Sequence, residues 1–365
     1  MQRKPARSGP DRVHKGRGAT LNLEGRFEAT AREDFDDGWA VPEDDDPGRP
    51  ETIVTPERVR SIISRNDSPD VPFSCSINPY RGCEHGCVYC YARPSHAYLN
   101  LSPGLDFETR LFAKINAAQC LLDELRKSSY VCETIALGAN TDPYQPAERT
   151  WKVTRSILEV ASRCNQPVGI VTKNALVERD IDLLAPMAAR KLAAVFVSVT
   201  TLDHGLARRM EPRASAPARR LGAIRRLADA GVPVGVMVAP VVPFLTDAEM
   251  ERILEAAHDA GARSAGYILM RLPYEVKTLF RDWLQAHYPL KAAHVMSRVQ
   301  AMRGGRDNDP EFGARMRGRG ELAELLRVRF DVACRRLGFN RERTALDTTQ
   351  FQRPGPDGHM DLFSS

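Results

Sequence analysis

Short runs rich in β-formers alternate with amphipathic helical stretches from about residue 72 to 275, and this alternation constrains the fold more than any other feature. Candidate strands cover 73–78, 133–139, 168–172, 194–200, 232–239 and 264–270. Pro167 and the Gly231-Val232-Pro233 turn mark entries into strands. Between the strands, Phe107, Leu111, Ile115, Ala118, Leu122 and Leu125 fall on one stripe of a helix. Six β-then-α units in succession predict an α/β fold with a parallel sheet and right-handed crossovers. Six is short of the eight of a closed barrel, so the expectation is a partial (β/α)6 barrel, with a doubly wound open sheet as the competing architecture. In either, chemistry belongs at the carboxyl ends of the strands.

The chain has 365 residues, 42% of them hydrophobic and 27% charged, which is the balance of a soluble globular protein. No apolar run approaches a membrane span and the first residues lack the hydrophobic core of a secretory signal, so the expected setting is cytoplasmic, with no membrane partner. Four regions are expected. Residues 1–50 read as a disordered charged tail: a basic stretch (Arg3, Lys4, Arg7, Arg12, Lys15, Arg17) passes into an acidic one (Glu33, Asp34, Asp36, Asp37, Glu43 to Asp46), with little apolar surface to offset the entropy of ordering. Residues 51–275 are the barrel. Residues 276–348 read as a basic helical extension, and 349–365, with Pro354, Gly355, Pro356 and Gly358, as a flexible tail.

Three of the eight cysteines lie within eight residues, in Arg81-Gly82-Cys83-Glu84-His85-Gly86-Cys87-Val88-Tyr89-Cys90-Tyr91. In a reducing compartment such a cluster reads as a metal or redox site. One loop with these spacings can wrap three thiolates around an iron–sulfur cluster, and Gly82 and Gly86 permit the tight turns it needs. Three ligands on a four-iron cube leave one iron open, which S-adenosylmethionine (SAM) can chelate through its amino and carboxylate groups. A structural zinc site wants four closed ligands. Here His85, His96 or Cys75 would have to supply the fourth. An electron-transfer cluster without SAM is a further alternative. Cys75, Cys120, Cys132, Cys164 and Cys334 read most simply as core thiols.

Cys-x3-Cys-x2-Cys with an aromatic before the third cysteine resembles the radical SAM signature. The wider run, Ser76-Ile77-Asn78-Pro79-Tyr80-Arg81-Gly82-Cys83 through Cys90-Tyr91-Ala92-Arg93 and on to Asp106-Phe107-Glu108, is similar to the spore photoproduct lyase-like branch. The similarity covers roughly residues 52 to 345. It implies an enzyme on a radical SAM barrel, metal-binding through a 4Fe-4S cluster on Cys83, Cys87 and Cys90. One electron, from a donor such as flavodoxin or ferredoxin, would cleave SAM to a 5′-deoxyadenosyl radical that abstracts hydrogen from a substrate. Tyr89 would lie near the adenine, and Asn140 and Thr141 form a polar strand end where SAM would sit. Lys173 would meet the SAM carboxylate, and Ser198 the ribose or the carboxylate. Arg213 would clamp a carboxylate bidentately, or pair with Glu211. In spore photoproduct lyase a cysteine after the second strand returns hydrogen to the product radical. Ala139 stands at that place here, which puts the lyase reaction itself in doubt.

Two features point to nucleic acid and hence to DNA repair or modification. Arg298, Arg303, Arg306, Arg315, Arg317, Arg319, Arg327, Arg329, Arg335, Arg336, Arg341 and Arg343 can neutralise phosphates, although acidic residues are interspersed. His359-Met360-Asp361-Leu362-Phe363 resembles the short peptide by which bacterial repair proteins dock on the sliding clamp, departing at His359 and Met360. A radical SAM enzyme acting on a nucleic-acid base is therefore the leading expectation. Radical chemistry on a protein or small molecule, or a non-catalytic iron–sulfur protein that binds nucleic acid, are the alternatives.

Overall fold

The structure, a computed structural model, describes residues 13–27, 50–342 and 345–355. Its strands are β1 (Ile53–Glu57), β2 (Ile63–Arg65), β3 (Cys75–Ile77), β4 (Tyr80–Arg81), β5 (Arg110–Lys114), β6 (Ile135–Leu137), β7 (Val168–Thr172), β8 (Ala193–Ser198), β9 (Val234–Val241) and β10 (Ser264–Leu269). The helices are α1 (Asp106–Thr109), α2 (Ala117–Arg126), α3 (Glu148–Trp151), α4 (Val153–Arg163), α5 (Ile181–Ala189), α6 (His204–Met210), α7 (Pro217–Asp229), α8 (Met250–Asp259), α9 (Val276–His287), α10 (Pro289–Ala301), α11 (Ala314–Arg317) and α12 (Glu321–Leu337).

A seven-stranded sheet runs in the order β10-β9-β8-β7-β6-β3-β2, parallel from β3 to β10 with β2 antiparallel on the edge. Its six parallel strands are the six expected from the sequence, each trimmed or shifted by a few residues. Strands covered on both faces need no polar side, and β8 (Ala-Ala-Val-Phe-Val-Ser) is buried at every position but Phe196. Gly235 in β9 is required by packing: a Cβ there would lie 2.3 Å from the Phe196 ring. The helices close over the sheet through one continuous apolar core that joins Leu121, Ile157, Leu184, Ile224 and Leu254 to the strands. The chain is thus an α/β partial barrel. The loops that follow the parallel strands gather at one end of it.

The stripe from Phe107 to Leu125 is not one helix. It divides into α1, then β5, which pairs parallel with β1 and antiparallel with β4 in a second, three-stranded sheet, then α2. Leu111 and Ala113 are buried while their neighbours face outward, the period of a strand. Leu111 and Ile115 are four residues apart, a spacing that helix and strand periods share, so the pattern could not separate the two.

The N-terminal region also departs from expectation at 13–27, where Arg17, Gly18, Ala19 and Thr20 are buried against the rest of the chain. At the other end Phe351 packs beside Tyr130, and Arg353 donates to the carbonyls of Leu125 and Tyr130. The basic extension is helical, but much of its charge is spent within the fold. Arg315 pairs with Asp70, Arg319 with Asp309 and Glu311, Arg327 with Glu324 and Asp331, Arg329 with Glu251 and Arg336 with Glu255. Arg303 is buried and donates to four backbone carbonyls. Arg343 and the segment 359–363 proposed for clamp docking lie outside the described residues.

Candidate active site

The cysteine loop begins where the short β4 ends. Gly82 and Gly86 take φ of +73° and +68°, and a Cβ on Gly86 would press within 2.6 Å of the Glu108 carboxylate, so the loop's turns depend on glycine. Backbone bonds pin it at both ends: Cys83 N donates to Phe107 O (2.9 Å) and Val88 N to Met210 O (3.1 Å). Cys83 and Cys87 are buried, Cys90 is half-buried, and all three line one cavity of about 190 Å³.

A fully buried ion pair braces the loop from below. Arg93 Nε donates to Cys87 O (2.8 Å), its Nη1 to Pro103 O and Gly104 O, and its Nη2 meets Glu108. The Glu108 carboxylate also accepts the backbone N–H of Gly18 (3.0 Å) and of Ala19 (2.8 Å). The segment 17–19 is therefore strapped across the loop. Gly18 passes so close that a Cβ would fall 1.7 Å from Gly86 O. On the other flank Gln145 accepts from Glu84 N (2.8 Å) and donates to Gly82 O (3.2 Å).

The strand ends supply the cavity's polar groups. His85, within the loop, sits with Nδ1 3.4 Å from Asp142 and Nε2 3.1 Å from the Asn174 side chain. Asp142 also accepts from Thr172 Oγ1 and Lys173 N, both at 2.7 Å. Burial raises the Asp142 carboxyl, but His85 and these hydrogen bonds outweigh it and leave the pKa below the ordinary value. Lys173 Nζ donates to Ala239 O (3.1 Å), lies 3.8 Å from Glu211 and stands 5.9 Å from the Tyr89 ring centre. Burial lowers the pKa of Lys173. The same effect pushes the thiols of Cys83 and Cys87 well above their usual value and raises Cys90. Three thiols gathered around one cavity offer a site where a cationic group would stabilise the thiolates.

Of the residues expected to touch SAM, Tyr89, Asn140, Lys173 and Ser198 line the cavity. Thr141 does not: it is buried, with its hydroxyl spent on Tyr80 O (2.9 Å). Nor does Arg213, which pairs with Glu84 at 2.7 Å. Glu211 pairs instead with buried Arg220 and accepts from Tyr89 and Thr200. Sequence reasoning missed the His85–Asp142 contact, the Arg93–Glu108 brace and Arg271, which also lines the cavity. Only Arg271 carried a local signal, its place just past the last strand.

A sequence profile of the radical SAM superfamily matches residues 77–257, the stretch holding the cysteine loop and the parallel strands. That stretch is similar to a radical SAM domain. Radical SAM domains hold a 4Fe-4S cluster and SAM, and the donor set fits. The three thiols come from one loop, and His85 and Cys75 are otherwise engaged. His85 is bound at both ring nitrogens and Cys75 lies in β3 beside Glu133, while His96 Nε2 meets Arg110 O and its buried Nδ1 has no partner among the described residues. Among the described residues no group of three or more His, Cys, Asp or Glu side chains is arranged to hold a single metal ion. A zinc ion holds its thiolates at about 2.3 Å and demands such convergence, whereas a cubane spreads its ligands over separate irons.

An uncharacterised protein of Mycobacterium tuberculosis is 39% identical over 221 residues, 60% of this chain and 65% of that protein. One of Methanocaldococcus jannaschii is 29% identical over 175 residues, 47% and 62% of the two chains. The matches thus span less than two thirds of these relatives' own length. Among solved structures, a spore photoproduct lyase variant superposes with a TM-score of 0.55 at 17% identity, covering 78% of this chain and 80% of that one. The same enzyme complexed with dinucleoside spore photoproduct also gives 0.55, at 16% identity. At such identity the likeness is one of fold. No helix among the described residues is long and apolar enough to cross a membrane.

Proposed function

We propose that this protein is a radical SAM enzyme that removes a hydrogen atom from its substrate. The observation that carries the reading is the convergence of Cys83, Cys87 and Cys90 on a cavity walled by the carboxyl ends of parallel strands, with Lys173 and Ser198 at its rim. When bound there, a 4Fe-4S cluster and SAM supply, on receipt of one electron, a 5′-deoxyadenosyl radical able to attack an unactivated C–H bond.

The chain's own residues hold, orient and shield. Cys83, Cys87 and Cys90 bind as thiolates, leaving one iron for SAM. The Lys173 ammonium faces the SAM carboxylate, Asn140 and Ser198 offer hydrogen bonds, and Tyr89 supplies an aromatic wall. Thr141 and Arg213 act behind the surface, through Tyr80 and Glu84. Ile268, Leu269, Met270 and Met237 give the cavity an apolar side that keeps water from a radical. Anaerobic reconstitution followed by dithionite reduction tests this. 5′-Deoxyadenosine should form, and Cys87→Ala should abolish it; an intact cluster that never cleaves SAM refutes the assignment.

The substrate class we carry forward is a nucleic-acid base. The lyase fold, solved with a dinucleoside, supports it, as does an exposed surface cluster of Tyr98, Phe27, Arg26 and Tyr274. There the Phe27 and Tyr98 rings lie 4.9 Å apart and the Arg26 guanidinium, paired with Glu275 at 2.8 Å, stands 3.8 Å from the Tyr274 ring. Aromatic faces interleaved with a cation suit stacking of unpaired bases. The lyase reaction itself is not part of the proposal, because Ala139 stands where the lyase has its hydrogen-returning cysteine. Retention of a single-stranded oligonucleotide should weaken steeply with salt and fall on Tyr98→Ala. Equal retention by wild type and variant counts against a base-bearing substrate.

A further inference from the structure

One cation of the cavity, Arg271, has no ion pair of its own among the described residues; the nearby Asp70 is paired with Arg315. Arg271 follows β10 and is fixed by backbone anchors on both sides: Met270 N donates to Val241 O (3.0 Å) and Leu272 N to Asn308 Oδ1 (3.3 Å). Its side chain lines the cavity, with the guanidinium 5.4 Å from the centre of the Tyr91 ring, the residue next to Cys90. Its contacts within the protein are weak. Nη1 reaches the Met316 sulfur at 3.6 Å, a poor acceptor, and buried Nε donates to no protein group.

The surroundings make this charge more costly. Arg303 lies behind it, buried and bonded only to carbonyls, two of them those of Leu269 and Met270 just before Arg271. Arg315 is near too, but Asp70 already answers it at close range. Burial and the Arg315 charge together lower the pKa of Arg271, and burial with Arg271 lowers Arg303 to about 10. Among the described residues two carboxylates lie near Arg271 and Arg303, and each is paired with another arginine: Asp70 with Arg315 and Asp309 with Arg319 at 3.3 Å. Lys173 differs, having Glu211 and Ala239 O as partners on the β7 side, with β8 and β9 in between. A buried cation is ordinarily paired.

We infer that Arg271 is the binding site for an oxyanion carried by the substrate, a phosphate or a carboxylate, separate from the SAM carboxylate that Lys173 serves. The planar fork of a guanidinium takes either group bidentately. This rests on the radical SAM reading of the cavity, because it places the substrate beside the cluster loop through Tyr91. The anion would orient the substrate so that the carbon to be attacked lies over the cysteines.

The test uses the cluster-loaded full chain with SAM bound, kept anaerobic at constant ionic strength. Inorganic phosphate and acetate are titrated separately and followed by broadening of the phosphorus and methyl resonances. Saturable binding of one equivalent is expected for at least one probe. Phosphate alone identifies a phosphate-bearing substrate, and acetate alone a carboxylate-bearing one. Arg271→Gln should weaken the bound probe at least about tenfold more than it weakens SAM, and Arg271→Lys should recover part of the loss. Lys173→Gln should show the reverse bias, toward SAM. Absence of saturable binding, equal binding by Arg271→Gln, or a loss of SAM as large as that of the probe would each overturn the assignment. Wild-type SAM cleavage is scored alongside: if it fails while the anion binds through Arg271, the catalytic proposal falls and the anion site stands.

Discussion

At the scale of single residues, the cysteine loop was legible because its chemistry is local: three thiols and two glycines within nine positions write their own geometry. The groups that hold the loop were not, because each partner comes from far along the chain. Glu211 illustrates the limit. Adjacency suggested a pair with Arg213, yet α7 brings Arg220 to it, and Arg213 turns to Glu84. Arg93 and Glu108 both stand in the run that carries the family resemblance, but nothing in the sequence paired them; in the fold both are fully buried with Cys87 O and the Gly18 and Ala19 amides as further partners. Breaking one side of such a pair leaves an uncompensated buried charge, which costs about 3–5 kcal/mol. Glu108→Gln keeps the shape and removes the charge, so the free energy of urea unfolding of the cluster-free protein should fall by an amount in that range. A loss below about 1 kcal/mol, the range ordinary for an exposed pair, would mean that the brace does not hold the loop.

At the scale of elements, long strands read well and short ones did not. The bounds of β7 were predicted to the residue because Val168, Ile170, Val171 and Thr172 are β-branched and lie between a proline and a polar turn. The pairing of β5 with β1 and β4 was hidden, since a five-residue edge with mixed polarity shares its spacing with a helix. The N-terminal strap was hidden for a different reason. Its few apolar residues gave no periodicity, and it is held by backbone amides on Glu108, by Asn22 on Asp106 and by Leu23 O accepting from Ser102. Polar docking of this kind leaves no hydrophobic pattern to read. It also gives the strap a definite role, as a cover over the back of the cluster loop. Removal of residues 1–27 should therefore speed bleaching of the reconstituted cluster in air several-fold, followed by absorbance near 400 nm, with Gly18→Val giving the same direction through its collision with Gly86 O. Bleaching at the wild-type rate in both proteins would show that the strap does not shield the loop.

At the scale of the whole molecule, the helical extension is continuous with the barrel in its core. Leu326, Phe330, Ala333 and Cys334 of α12 belong to the same buried cluster as β8 and β9, and the Phe330 ring lies 4.7 Å from that of Tyr267 in β10. Across the same seam Arg329 meets Glu251 and Arg336 meets Glu255, so α12 covers α8 and the last strand together. This packing bears on the site, because β10 leads into Met270 and Arg271 on the cavity wall, and Arg303 donates both to Met270 O and to carbonyls of α11. The boundary at 275 drawn from composition is thus a change of charge pattern rather than of core, and we propose that barrel and extension unfold as one unit. Phe330→Ala removes a buried aromatic ring, a change that costs about 3–5 kcal/mol. If the unit is cooperative, the loss should appear as a shift of a single urea transition, with far-ultraviolet ellipticity and tyrosine fluorescence moving together. Two separated transitions, with only the earlier one shifted by the substitution, would instead make the extension an independent domain resting on a barrel that stands without it.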